Sequence, residues 1–200
     1  MRKVCREVAS QTSDYSAKET VELAKQIVDD GAPGVFGVAY ELLRYHPTAI
    51  SAVTTTDLRQ LGRTMASWGD VDCFSVVAGY AWRSGRVSEN EIHRWARSKN
   101  RWWRRAALVS TVPLNMKSHG GTGDVGRTLG VCQLLVDDRD DMVIKAMSWA
   151  LRALSTWEPV EVEGFLDHHR TELAPRVIRE VENKLRTGRK DGRKSKRASS

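Results

Sequence analysis

Helix-forming segments follow one another along this chain, and no stretch alternates apolar and polar residues with the period of two that a half-buried strand requires. The spacing predicts pairs of helices. The second helix of each pair is expected near residues 36–44, 71–82, 103–112, 143–154 and 175–185, with starts about 32–40 residues apart. A lone pair of short helices cannot cover its own apolar face, so pairs at this interval stack on one another into a solenoid with one continuous core. The expected fold is therefore all-α, a superhelical solenoid of antiparallel helix pairs. Self-similarity is faint: Trp103-Arg104-Arg105-Ala106-Ala107 stands against Ile144-Lys145-Ala146-Met147.

Local signals mark the helix ends. Residues 1–10 read as a helix that starts abruptly, without a cap, as though further helices preceded it. Ser16 and Glu19 stand in capping-box register before Val21, Leu23, Ala24, Ile27 and Val28. Gly31-Ala32-Pro33-Gly34 stops that helix, and Pro47 closes the next. Thr56-Asp57 can cap the segment through Leu58, Leu61 and Met65. Trp68–Arg83 follows, then a helix opened by Ser88 with Glu91 in register, then Trp102–Val112 with Pro113 after it. Residues 117–126 are a Gly-rich loop, expected to be flexible and to join two repeats. Arg127–Val136 is the next predicted helix. Asp140 or Asp141 can cap Met142–Leu154, Pro159 starts a short helix, and Ala174–Leu185 is the last.

A chain of 200 residues is long enough for one domain with a real core. One helical-repeat domain is expected over residues 1–187, followed by a disordered basic tail over 188–200. That tail holds six basic residues against Asp191, or +5 of the net +7, which leaves +2 for the folded part. Bulk charge is therefore a weak argument for a nucleic-acid partner, and the placement of charges has to carry it. No apolar run approaches the ~20 residues that cross a bilayer, and no signal peptide is visible. Cys5, Cys73 and Cys132 are odd in number and far apart, which suggests reduced thiols in a cytoplasmic protein. His46, His93, His119, His168 and His169 show no metal-ligand spacing, and no nucleophile elbow occurs, so neither metal nor cofactor is expected.

Three stretches set large aromatics beside charges where a purely structural helix would carry Leu or Ala. These are Ser67-Trp68-Gly69-Asp70-Val71-Asp72, Asn100 through Ala107, and Lys145 through Arg152. Trp68 and Asp72 are four apart and share a helix face. A core Trp beside a salt-bridged Asp is the plain alternative. Arg101, Arg104 and Arg105 enclose Trp102 and Trp103, the mixture that phosphate contact plus stacking requires. A solvated basic face over a buried Trp pair would look the same. Lys145, Trp149 and Arg152 repeat the pattern. The coincidence of three such clusters on successive repeats favours a shared binding groove. Gly121 through Thr128 nearly fits a phosphate loop, but Arg127 replaces the lysine and no apolar strand precedes it, so no nucleotide cofactor is expected.

As an ordered set, these clusters resemble the AlkD-like DNA alkylation repair family of HEAT-like helical-repeat glycosylases, from about Val35 to about Leu185. The resemblance implies a concave DNA-binding face and excision of N3- and N7-alkylated purines from double-stranded DNA. It implies Asp72 as the catalytic carboxylate, Trp68 and Trp149 as aromatics packed on the deoxyribose backbone, and Arg105 as a phosphate-binding arginine. Arg101, Arg104, Lys145 and Arg152 are the further expected DNA contacts. Members usually have more helices before the position of Met1. The expected protein is a monomer, cytoplasmic and associated with the nucleoid. A non-catalytic binder of damaged or branched DNA, and a protein-interaction scaffold, are the alternatives.

Overall fold

The computed structural model describes residues 7–8, 10–31, 36–46 and 48–192. Its helices are α1 (Ala17–Asp29), α2 (Phe36–Tyr45), α3 (Ala49–Ala52), α4 (Thr55–Gly62), α5 (Trp68–Arg83), α6 (Glu89–Ala96), α7 (Arg101–Val109), α8 (Val112–Asn115), α9 (Val125–Gln133), α10 (Asp141–Leu154), α11 (Pro159–His168) and α12 (Pro175–Thr187). A 3₁₀ turn, Lys117–His119, follows α8, and no strand occurs among the described residues. Residues 1–6 and 9 of the helix predicted over 1–10, most of the Gly31–Gly34 stop, Pro47 and residues 193–200 lie outside the described residues, Cys5 among them, while residues 7, 8 and 10 are helical.

Five pairs form: α1/α2, α4/α5, α6/α7, α9/α10 and α11/α12. The second helices pack in an unbroken row, α2 on α5, α5 on α7, α7 on α10 and α10 on α12. This is the solenoid of paired helices expected from the spacing. Neighbours in the row run parallel, because cross-ties advance together along both helices. Asp72 meets Arg105, and Gly79 approaches Ser110 so closely that an added Cβ would lie 2.5 Å from its carbonyl oxygen. Further on, Asp141 meets Arg176 and Ser148 meets Glu180.

One apolar core runs from Val21 to Val181 through every layer. Tyr40 lies edge-on to Phe74 and donates its hydroxyl to the Leu61 carbonyl at 2.8 Å. Trp103 fills the space between Phe74 and Trp95, with centroids 5.7 and 5.0 Å away, and lies against Gly62. Only a residue without a Cβ fits at position 62, since an added carbon would sit 2.4 Å from the indole.

The caps explain why the helices start where they do. Ser16/Glu19, Thr54/Asp57 and Ser67/Asp70 are reciprocal capping boxes. Thr54, rather than Thr56, is the cap of α4, and Asp57 is its partner at the third position. Asp140, rather than Asp141, caps α10. The helix predicted over Trp102–Val112 ends at Val109, and Pro113 sits in the first turn of α8, where a missing N–H costs nothing.

The Gly-rich loop is not the flexible connection expected of it. Thr122 and Gly123 donate backbone N–H groups to Leu114, and Asp124 donates to the buried Asn115 side chain. Gly121 touches the Leu114–Asn115 backbone where a Cβ would come within 2.6 Å. The beginning of the predicted disordered tail is likewise placed: Gly188 ends α12 with φ 74°, and the Lys190 carbonyl accepts from Asn183.

Candidate DNA-binding and catalytic site

The capping box of α5 separates two aspartates that look equivalent in sequence. Asp70 is consumed by the cap, accepting from the Ser67 backbone N–H at 3.1 Å and from its hydroxyl at 2.8 Å. Asp72 lies half a turn further on and is left for another partner. That partner is Arg105, from the corresponding turn of α7. Its Nε and Nη2 donate to the two carboxylate oxygens at 3.0 Å each, a planar two-point pairing. The third nitrogen, Nη1, donates to the Met142 carbonyl in the first turn of α10 at 2.7 Å. One guanidinium thus ties three helices of the row together.

Burial makes this arrangement unusual. The Arg105 side chain is 6% exposed and that of Asp72 20%. Burial pushes the Asp72 carboxyl above the ordinary carboxylate range, and the Arg105 charge and hydrogen bonds only partly oppose it. Arg105 is therefore placed differently from what the family resemblance implies. Its guanidinium is occupied within the protein and offers almost no surface to a phosphate.

The other expected residues divide into two groups. Trp68 is the first residue of α5 and 63% exposed, so its indole stands on the surface one turn before Asp72. Arg101 is half exposed, stacks over Trp102 at 4.7 Å and lies 3.6 Å from Asp140. Met142, Lys145, Trp149 and Arg152 follow at helical spacing along the partly exposed side of α10, with Lys145 paired to Asp141. Arg104 turns away: its Nε donates to Asp138 at 2.6 Å and its Nη1 to the Ser98 and Lys99 carbonyls, which ties two inter-helix turns. Trp103 is core.

Trp68 and Trp149 do not touch. Trp68 lies about 6 Å, in helix rise, before the Asp72 level, and Trp149 about 10 Å beyond the Met142 level, on a parallel helix two places along the row. They bracket the Asp72–Arg105 pair rather than converge on it. Trp149 lines a cavity of about 460 Å³ together with Asn115, Lys117, Arg152, Lys184 and Lys190. Sequence reading had no signal for Lys117 and Lys184 at this cavity, or for the Met142 carbonyl beside Arg105; tertiary packing alone brings them there.

The Gly-rich loop does not present a phosphate cradle. The Asp124 carboxylate caps α9 by accepting the Arg127 backbone N–H at 3.0 Å, which fills the position a phosphate would take at that helix start. The Arg127 guanidinium lies over Trp82 and reaches Asp124. Among the described residues, no three His, Cys, Asp or Glu side chains gather as metal ligands, and no helix is long and apolar enough to cross a membrane.

Comparison with known proteins gives one match. The family described as DNA alkylation repair enzyme matches residues 1–185. No curated protein and no solved structure matches the chain.

Proposed function

We propose, for a chain that belongs to the DNA alkylation repair enzyme family, that it is a glycosylase hydrolysing the N-glycosidic bond of cationic N3- or N7-alkylpurines in duplex DNA. The observation that carries this reading is the Asp72 carboxylate, half-buried one turn from an exposed indole and held at two points by a buried arginine. A carboxylate beside DNA phosphates costs binding energy, so its presence suits a positive charge that forms during reaction.

In an N3- or N7-alkylated purine the positive charge starts on the base, and bond cleavage moves it to the sugar. When the C1′–N9 bond breaks, its electron pair goes to N9, the base departs neutral, and the sugar becomes oxocarbenium-like. Asp72 stabilises this cation electrostatically, more strongly in the transition state than in the ground state. Water then bonds to C1′, and its proton passes to Asp72 and on to solvent. The products are the free base and an abasic site. Trp68 and Trp149 offer their indole faces to the backbone around the lesion, where a cation–π contribution adds to packing. The leaving group is activated by its own charge, so the reading needs neither metal nor general acid.

In this scheme Arg105 positions rather than binds. It holds the Asp72 carboxylate ionised and aimed in surroundings that would otherwise protonate it. Arg101, Lys145 and Arg152 remain the proposed phosphate contacts. A monomer acting on chromosomal DNA in the cytoplasm completes the reading. The same pairing favours a second reading, a non-catalytic binder of damaged or branched DNA, because Arg105 neutralises much of the charge Asp72 offers. Release of 7-methylguanine from methylated duplex DNA, measured beside binding of the same duplex, separates the two: binding without release supports the second.

A further inference from the structure

Three cations converge on the cavity beside Trp149 without an ion pair to any described residue. Lys117 projects from the 3₁₀ turn, its Nζ held over the Trp157 ring at 5.0 Å. Trp157 is itself fixed by donating to the Asn115 carbonyl at 2.6 Å. Arg152 comes from α10, its Nε hydrogen-bonded to Ser148 at 3.1 Å. Lys184 comes from α12 and donates to the Gly188 carbonyl at 3.0 Å. A fourth, Lys190, stands at the rim, 3.5 Å from Glu180. Glu180 is already engaged by Ser148 and Arg176. Burial also lowers the pKa of Arg152, and Glu180 only partly offsets this. Elsewhere in the molecule most basic side chains near one another have acids beside them, as in Arg59 and Arg94 on Glu91 or Arg170 on Asp167 and Glu182.

We infer that this cavity is a phosphodiester subsite, distinct from the Asp72–Arg105 pair, which seats a DNA backbone phosphate lying beyond Trp149. Cations from three separate elements around one concavity focus a positive potential that none would produce alone. The Trp149 wall gives the adjoining sugar an apolar surface, and the Asn115-centred hydrogen bonds make the floor rigid, so little ordering is needed on binding. The inference rests on the DNA-directed reading above but not on catalysis.

The test is the salt dependence of binding to a short undamaged duplex, for wild type, the double variant Lys117→Gln/Lys184→Gln, Arg152→Gln, and Arg170→Gln as a control on another surface. Removing one cation that neutralises a phosphate should reduce the slope of log K against log salt by about 0.9, so the double variant should lower it by roughly 1 to 2 and Arg170→Gln should leave it unchanged. Thermal melting of each variant establishes that the fold is kept, and Arg152→Gln gives an independent reduction from a different helix. An unchanged slope in both the double variant and Arg152→Gln, with the wild type binding normally, would overturn the subsite while leaving the glycosylase reading intact. Absence of duplex binding by the wild type would overturn the subsite too. The glycosylase reading then stands or falls separately on base release.

Discussion

Asp72 and Arg105 concentrate most of the chemistry and a good part of the local stability. Replacing Asp72 by Asn keeps the shape and removes the charge, and should reduce base release by about 10²–10³-fold if the carboxylate stabilises the sugar cation. Replacing Arg105 by Ala leaves the Asp72 carboxylate half-buried without its counter-charge, and breaking a buried pair in that way costs about 3–5 kcal/mol. Arg105→Lys keeps a charge but cannot make the two-point pairing together with the Met142 contact, so activity should fall and the melting temperature should drop less than for Ala. The pH profile carries a further signature. Asp72 must be ionised to act, and its pKa is raised by burial. Activity should therefore decline, as pH falls, at a higher pH than an ordinary carboxylate would give, and Arg105→Lys should move that decline higher still. An acid limb at the position of an unperturbed aspartate would contradict this account of the site.

At the scale of elements, the loop after α8 and the α10–α12 contact are the testable pieces. Gly121→Ala would drive a Cβ into the Leu114–Asn115 backbone, whereas Gly126, on the exposed side of α9, has open space around it. The first should cost about 1–3 kcal/mol and the second should be neutral or slightly stabilising. Thermal melts of the two variants check this, and equal melts would mean that the loop is not anchored as described. Glu180 is buried, which alone would raise its pKa, but the Ser148 and Arg176 hydrogen bonds and the Lys190 charge hold it below the usual range. Its contribution to stability is therefore full above the unfolded carboxylate pKa and is lost as pH falls through the lower folded value. Glu180→Gln should melt lower than wild type at neutral pH, with the gap closing in acid. The helices themselves were legible in sequence because their apolar spacing and capping boxes are local. Where two caps competed, as with Thr54 and Thr56 or Asp140 and Asp141, sequence could not decide, since the choice rests on where the chain enters the helix. Trp103 and Arg104 read as groove residues by composition, yet Gly62 admits the indole to the core and Asp138 draws the guanidinium aside.

Across the whole molecule, the parallel row of second helices is what turns residues 33 and 37 positions apart into one site, with Asp72, Arg105 and the Met142 carbonyl at a single level. The spacing of that row was visible in sequence. The pairing across it was not, because no local pattern distinguishes a charge that faces its neighbouring helix from one that faces solvent. The basic C-terminal run belongs to this scale as well. Deleting residues 193–200 removes Arg193, Lys194, Lys196 and Arg197, and should lower the salt slope of binding to undamaged duplex while leaving base release at saturating DNA unchanged. An unchanged slope would show that the tail takes no part in DNA binding. The most direct measurement is release of 7-methylguanine and 3-methyladenine from methylated duplex DNA by the wild type and by Asp72→Asn. The wild type should release both bases, and Asp72→Asn should release them far more slowly while still binding DNA. Release that is equal in the two proteins, or no faster than the spontaneous rate in either while both bind DNA, would contradict Asp72-dependent base release.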